Sequence, residues 1–208
     1  QQNEPVTSIN WRNAMVWCNA YSEIERLVPV YYTDKNFLNP IKDSRFGSAS
    51  VNTNLGSYDN PYVKWSADGF RLPTVGEWQY AARYKDGTSW TPYNYASGST
   101  DIDDIATGLV AWYSGNSDGS TETVGLKNAN AMGIHDMSGN VSEWCWDWSG
   151  VNPTSMQTNY HGSQTGNYRL LMGGAFDSEK WRLYVGGGVG SSPAQSYTSY
   201  GFRVARSQ

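Results

Sequence analysis

Trp144-Cys-Trp-Asp-Trp148 constrains the chain more than any other stretch. A period of two is that of a strand, so Trp144, Trp146 and Trp148 share one face, with Cys145 and Asp147 on the other. Large rings repeated this way point to an aromatic core, and the rest of the chain agrees. It carries 10 Trp, 15 Tyr and 5 Phe, and few aliphatic residues. A helical bundle or a doubly wound parallel sheet needs runs of Leu, Ile and Val, so both are disfavoured. Disorder is disfavoured as well, because disordered chains lack aromatics. The expectation is a core of Trp, Tyr and Phe packed by loops and short strands.

Length and charge narrow the function classes. At 208 residues the chain has room for a sizeable core. A net charge of −4, with no basic stripe, gives no electrostatic footprint for nucleic acid. No apolar run approaches the roughly eighteen residues of a membrane span. The chain begins at Gln1 without Met, so a removed export signal or an N-terminal lipid anchor outside this sequence is compatible with it. Two cysteines, Cys18 and Cys145, are not a disulfide framework, although a bond between them stays open. Cys18 is most simply a small buried hydrophobe.

Taken in order, Asn10 is positioned to cap a helix over about 11–27, with Ala14, Trp17, Cys18, Tyr21 and Ile24 on one face and Pro29 ending it. Val30-Tyr-Tyr32 reads as a short strand and 33–66 as loop. Thr74 and Glu77 form a Thr-x-x-Glu capping box, followed by an inward face of Trp78, Ala81 and Ala82. Arg71 and Arg83 flank this helix and are expected to pair with buried carboxylates. Asp101, Asp103 and Asp104 read as a solvated acidic loop rather than a cation site. Val110 to Tyr113 reads as a strand, 114–119 as a turn, and Thr121 to Val124 as its hairpin partner. Asp136 and Glu143 flank a turn at Ser138-Gly-Asn140. Such a turn can supply carbonyls between two carboxylates to a hard cation, although the same residues also simply make turns. His135 and His161 lack the helical partner of a zinc site.

The tail from 171 to 206 has strand-like ends, Leu171-Met-Gly-Gly-Ala-Phe176 and Tyr200-Gly-Phe-Arg-Val-Ala-Arg206. The residues between them have no clean period and read mainly as surface loop. Their mixture of Trp, Tyr, Ser and Gly suits a binding surface, an ordinary Gly-Ser loop being the alternative.

Several of these stretches together resemble the formylglycine-generating enzyme (sulfatase-modifying factor) family. They are Pro5-Val-Thr-Ser-Ile-Asn-Trp11, Arg71-Leu-Pro-Thr74 to Arg83, Asn130 to Trp144, Gly173-Gly-Ala-Phe176 and Gly201-Phe-Arg-Val-Ala-Arg206, in the family's order. The resemblance implies one α+β domain over 1–208 with a C-type-lectin-like fold of the formylglycine-generating-enzyme subtype. That fold is low in regular structure, with one or two main helices and small twisted antiparallel sheets. It also implies a structural Ca²⁺ held by the side chains of Asp136 and Glu143 and the carbonyls of Gly139 and Val141.

The family's oxidase chemistry does not carry over. Catalytic members place two copper-binding cysteines just after the Gly-Gly-Ser-Phe element, where this chain has Asp177-Ser-Glu-Lys-Trp-Arg-Leu-Tyr184. Thiolates are the copper(I) ligands, and neither Ser178 nor Leu183 replaces one. Copper is therefore not expected; nor is iron, which other lectin-fold oxidases hold with histidines of an added helical domain that this sequence does not show, and neither is enzyme activity.

Within this fold the chain also resembles the variable proteins of diversity-generating retroelements, treponemal surface lipoproteins among them. This second resemblance implies a surface or extracellular binding protein with a variable segment at about 173–203. The segment would take a protein or other macromolecular ligand. Its ligand face would hold Trp181, Tyr184 and Tyr197 as anchors, with Ser178, Gly186, Gly188, Ser191, Gln195 and Ser199 as adaptable contacts. Asp177 and Lys180 complete it. The rivals are a family enzyme using another metal and a Ca²⁺-dependent lectin.

Overall fold

The computed structural model describes residues 3–45, 50–151 and 158–207. Helix α1 (Trp11–Ile24) starts as expected, the Asn10 side chain accepting the N–H of Asn13. It ends earlier than Pro29 requires, because Arg26 takes a left-handed φ of 61° and Leu27 N–H turns back to the Ser22 carbonyl. Its buried face also differs from the expected one. Trp11, Arg12, Ala14, Met15, Cys18, Asn19 and Ser22 point inward, while Trp17 and Ile24 are exposed. Trp17 instead stacks on Tyr21 and meets Phe202 edge-on, a half-open aromatic seam on the helix flank. Buried Asn19 fixes the next segment. Its amide donates to the carbonyls of Tyr31 and Ile41 and accepts the N–H groups of Val30 and Tyr31.

Strand β1 (Tyr31–Tyr32) pairs antiparallel with β2 (Tyr62–Val63). Strand β3 (Phe70–Arg71) leads into helix α2 (Val75–Arg83), whose Thr74–Glu77 capping box is formed in both directions. Arg71 pairs with Glu77, a carboxylate that stays half exposed. Among the described residues Arg83 finds no carboxylate; it donates to the Thr91 carbonyl and lies 3.7 Å from the centroid of the Tyr93 ring. The acidic loop contains a helix, α3 (Asp104–Val110), because Asp103 caps it by accepting the Ala106 N–H. Val110 to Tyr113 is accordingly not a strand and Thr121 to Val124 is not its partner; Trp112 alone makes a bridge, to Gly139.

The central sheet comprises β4 (Ser142–Trp148), β5 (Arg169–Met172), β6 (Gly188–Ser191) and β7 (Tyr200–Phe202), in the order β6-β5-β4-β7. Strands β5 and β6 run antiparallel to their neighbours, whereas β7 runs parallel to β4, a departure from the all-antiparallel expectation. Strand β8 (Ala205–Arg206) then crosses to pair with β3. The alternation in β4 feeds two cores. Trp144 and Trp146 pack with Trp11, Met15, Tyr31 and Leu72. Cys145 packs on the other side with Trp78, Met137, Met172 and Val185. A third cluster joins Ala96, Val110, Tyr113 and Leu183. Cys18 and Cys145 are both free and buried in different clusters, and burial raises both thiols above their ordinary range.

Asp147, on the Cys145 side of β4, ties the sheet to α2. Its Oδ2 accepts the Val75 N–H at 2.7 Å. Burial pushes its carboxyl up to about 6, against the pull of that N–H and of Arg169. Between about pH 4 and 6 the native state therefore keeps a proton that the unfolded state has lost, so this group's contribution to stability falls as pH rises and levels off above about 6. Asp147→Asn retains an acceptor for Val75 and removes the titration. In urea denaturation, the stability of the parent relative to Asp147→Asn should decline by on the order of 3 kcal/mol from about pH 4 to pH 7. A difference that does not change with pH would mean an ordinary carboxyl.

Candidate functional site

The tail leaves β5 through Gly173 and Gly174, both at positive φ (88° and 67°). Neither tolerates a side chain: a Cβ at 173 would stand 2.8 Å from the Met137 carbonyl oxygen, and one at 174 would stand 2.9 Å from that of Arg182. The segment beyond is less irregular than its sequence suggests. It holds a 3₁₀ turn, Lys180–Leu183, and then β6, which the Gly-rich pattern had marked as loop. Buried Leu183 and Val185 pin it down. The Leu183 carbonyl accepts the Ser138 hydroxyl, and the N–H groups of Val185 and Gly186 donate to the carbonyls of Tyr95 and Tyr93. Further along, Ser8 N–H donates to the Tyr197 carbonyl and Ser142 N–H to that of Ser199.

Between these anchors lies a cleft of about 610 Å³. Asp177, Ser178, Trp181 and Tyr184 line it from the 3₁₀ side, and Gly186, Gly188 and Ser199 complete the expected contribution. Trp181 is 56% exposed, with the Arg182 guanidinium 4.4 Å from its ring centroid. The other four expected residues lie outside the lining. Lys180 pairs with Asp104 at 2.5 Å. Ser191 is buried and donates to Gln195. Tyr197, 51% exposed, leans edge-on against Tyr200. Sequence reasoning missed Tyr93 and Asn94, which reach the cleft from an irregular stretch with no periodic signal. Leu171, Val189 and Tyr200 line it from the sheet.

The turn expected to hold Ca²⁺ sits below this cleft. Gly139 N–H donates to the Gly173 carbonyl, and the Asn140 carbonyl accepts the Phe176 N–H. Asp136, at φ 55°, accepts the Gly125 N–H through Oδ2. Its Oδ1 is buried without a partner among the described residues, which a hard cation would satisfy. Glu143 is already committed: its Oε2 accepts both the Trp78 indole N–H and Arg203 Nε, each at 2.6 Å. Arg203 also donates to the carbonyls of His135 and Asp136. Among the described residues there is no cluster of three or more His, Cys, Asp and Glu, so any cation here would depend on backbone carbonyls. His135 Nδ1 lies 2.8 Å from the Lys127 carbonyl. His161 stacks on Trp65 at 3.6 Å, and burial lowers its pKa.

Among the described residues, three α-helices, small sheets on an aromatic core, and a long tail returning to the central strand define the C-type-lectin-like fold in its formylglycine-generating-enzyme subtype. The chain belongs to the sulfatase-modifying factor enzyme 1-like domain family, whose model matches residues 1–208. It is 33% identical to the chaperone protein LppX of Paenibacillus barcinonensis over 96% of this chain and 64% of that protein. It is 34% identical to the formylglycine-generating enzyme of Streptomyces coelicolor over 69% of this chain and 48% of the enzyme. The chain thus spans about half to two thirds of these relatives. Among solved structures, Treponema denticola variable protein 1 aligns at a TM-score of 0.82 with 33% identity, covering 99% of this chain and 72% of that one. CarF aligns at 0.71 with 27% identity, over 98% and 67%. Among the described residues no helix is long and apolar enough to cross a membrane.

Proposed function

We propose that this chain is a non-enzymatic ligand-binding protein displayed on a bacterial surface, whose segment at about 173–203 is diversified by a retroelement on a fixed scaffold. One observation carries the reading. Just after Gly173-Gly-Ala-Phe176, where the oxidases of the family resemblance hold their thiols, the chain has no sulfur and instead raises the wall of an open aromatic cleft. The two cysteines are elsewhere and buried. The likeness to a treponemal variable protein supports the same reading. Its ligand is a protein or other macromolecule held by Trp181 and Tyr184, with Ser178, Ser199 and Asp177 as polar contacts. Display is through a lipid anchor supplied outside these residues.

Trp181→Ala with Tyr184→Ala should weaken binders selected on the intact protein from a displayed protein library by roughly 30-fold or more. The melting midpoint should stay within about 2 °C of the parent. If the double variant unfolds, those rings belong to the core and the site is misplaced. Diversification has its own test in the sequence of this locus from several isolates. Substitutions should cluster between 177 and 200, and an even scatter along the gene would remove the retroelement from the proposal.

Ca²⁺ enters as a structural ion held by Asp136, Glu143 and the carbonyls of Gly139 and Val141, supported by the unpartnered Asp136 Oδ1. Chelation should lower the melting midpoint by about 5–10 °C, restored by added Ca²⁺. An unchanged midpoint would mean that Trp78 and Arg203 serve the Glu143 carboxylate without a cation.

A further inference from the structure

Strand β6 is the outer strand of the central sheet, with β5 on one side only. Its register with β5 runs unbroken from Met172↔Gly188 to Arg169↔Ser191. In an antiparallel pair every second residue exchanges its hydrogen bonds with the neighbour, so the remaining residues of β6 aim N–H and C=O away from the sheet. Among the described residues no backbone or side-chain hydrogen bond reaches those outward groups. Sheet edges are usually blunted by lysine, proline, a bulge or a covering element. Gly-Val-Gly-Ser carries no lysine, proline or bulge, no element among the described residues pairs with its outer side, and Gly188, Val189 and Gly190 are exposed.

The open edge is continuous with the cleft, since Gly188 and Val189 line it beside Trp181 and Tyr184. A row of free backbone groups next to an aromatic depression is complementary to one chemistry above others. It fits an extended polypeptide, whose main chain completes a ladder while a side chain fills the depression. Glycine at 188 and 190 gives the incoming chain close access to the β6 backbone.

We infer that the ligand is engaged as an extended polypeptide segment that adds a fifth strand along Gly188–Ser191, with an apolar or aromatic side chain lodged between Trp181 and Tyr184. This rests on the cleft being the ligand site and goes further by naming the form in which the ligand is bound. At four residues, β6 limits the added ladder to a few bonds, so affinity is shared between the main chain and the anchored side chain.

The test uses linear peptides of about ten residues, selected from a displayed random library on the intact protein. Each selected peptide is remade with single N-methylated backbone positions and titrated against the parent and Trp181→Ala. The expected result is an alternating pattern: N-methylation at every second position weakens binding roughly 5- to 100-fold and the positions between tolerate it. Outward amides of β6 should also gain hydrogen-exchange protection on binding, and Trp181→Ala should weaken every peptide. Binding that needs Trp181 but ignores N-methylation would overturn strand addition and leave the cleft reading intact. An alternating pattern indifferent to Trp181 would instead sink the cleft. Recovery of folded proteins but no linear peptide, or dimerisation of the free protein through β6, would also overturn the inference.

Discussion

A fully buried arginine governs the rest of this fold. Arg169 opens β5 at 0% exposure, with its guanidinium 3.7 Å from the centroid of Trp148, 4.0 Å from that of Trp11 and 4.6 Å from that of Trp146. It donates to the carbonyls of Trp146 and Asp59, and burial lowers its pKa well below the usual value. A desolvated charge is tolerated only where fixed dipoles and π faces replace water, and each ring face contributes about 2 kcal/mol in such a setting. Leucine at any of the three tryptophan positions would withdraw part of that solvation. Asp59 extends the arrangement, accepting from Arg12 at 2.5 and 2.8 Å while its own carbonyl faces Arg169. Losing one partner of such a buried pair costs about 3–5 kcal/mol. The aromatic composition thus follows from a charge in the core as well as from the shortage of aliphatics.

A second polar junction transmits this rigidity to the tail. Glu143 receives Trp78 from α2 and Arg203 from the residue after β7, while its backbone pairs with Met172 of β5 and Gly201 of β7. Both ends of the tail segment between β5 and β7 therefore close on one residue of the central strand. The N-terminal lead reinforces the far end, where Ser8 donates to the Tyr197 carbonyl. Between the two ends, buried Leu183 and Val185 interrupt a run of solvent-facing side chains. Loop residues braced in this way can differ in side chain without altering the packing beneath them.

Local signals in the sequence suffice where one residue decides the structure. Asn10 and Thr74 cap helices because their side chains satisfy N–H groups within the next turn, and the period of two in β4 follows from its own tryptophans. Features set by distant partners were not legible. Trp17 and Ile24 share a helical face with Cys18 in the pattern, yet the groove α1 meets is offset, so polar Arg12, Asn19 and Ser22 go inward to distant partners. Strand β6 reads as loop because glycine carries no periodicity, and only the register against β5 reveals it. Tyr93 joins the cleft through backbone pairing to Gly186, ninety-odd residues away in sequence, and nothing local announces that meeting.

Tyr93 also changes what the tail can vary. By composition Gly186 reads as one of the adaptable contacts of a binding loop. A Cβ there would approach the Tyr93 Cβ to 2.7 Å and its carbonyl oxygen to 2.9 Å. Backbone cannot retreat as a side-chain tip can, so any residue other than glycine at 186 must push the 93–95 strip outward, and the cleft wall with it. Gly201 is held for the same reason, its missing Cβ lying 2.6 Å from the Val6 carbonyl oxygen. Position 186 therefore belongs with Gly173, Gly174 and Gly201 to the frame. The positions sterically free to change at the cleft are those whose side chains point into open space, Trp181 first among them.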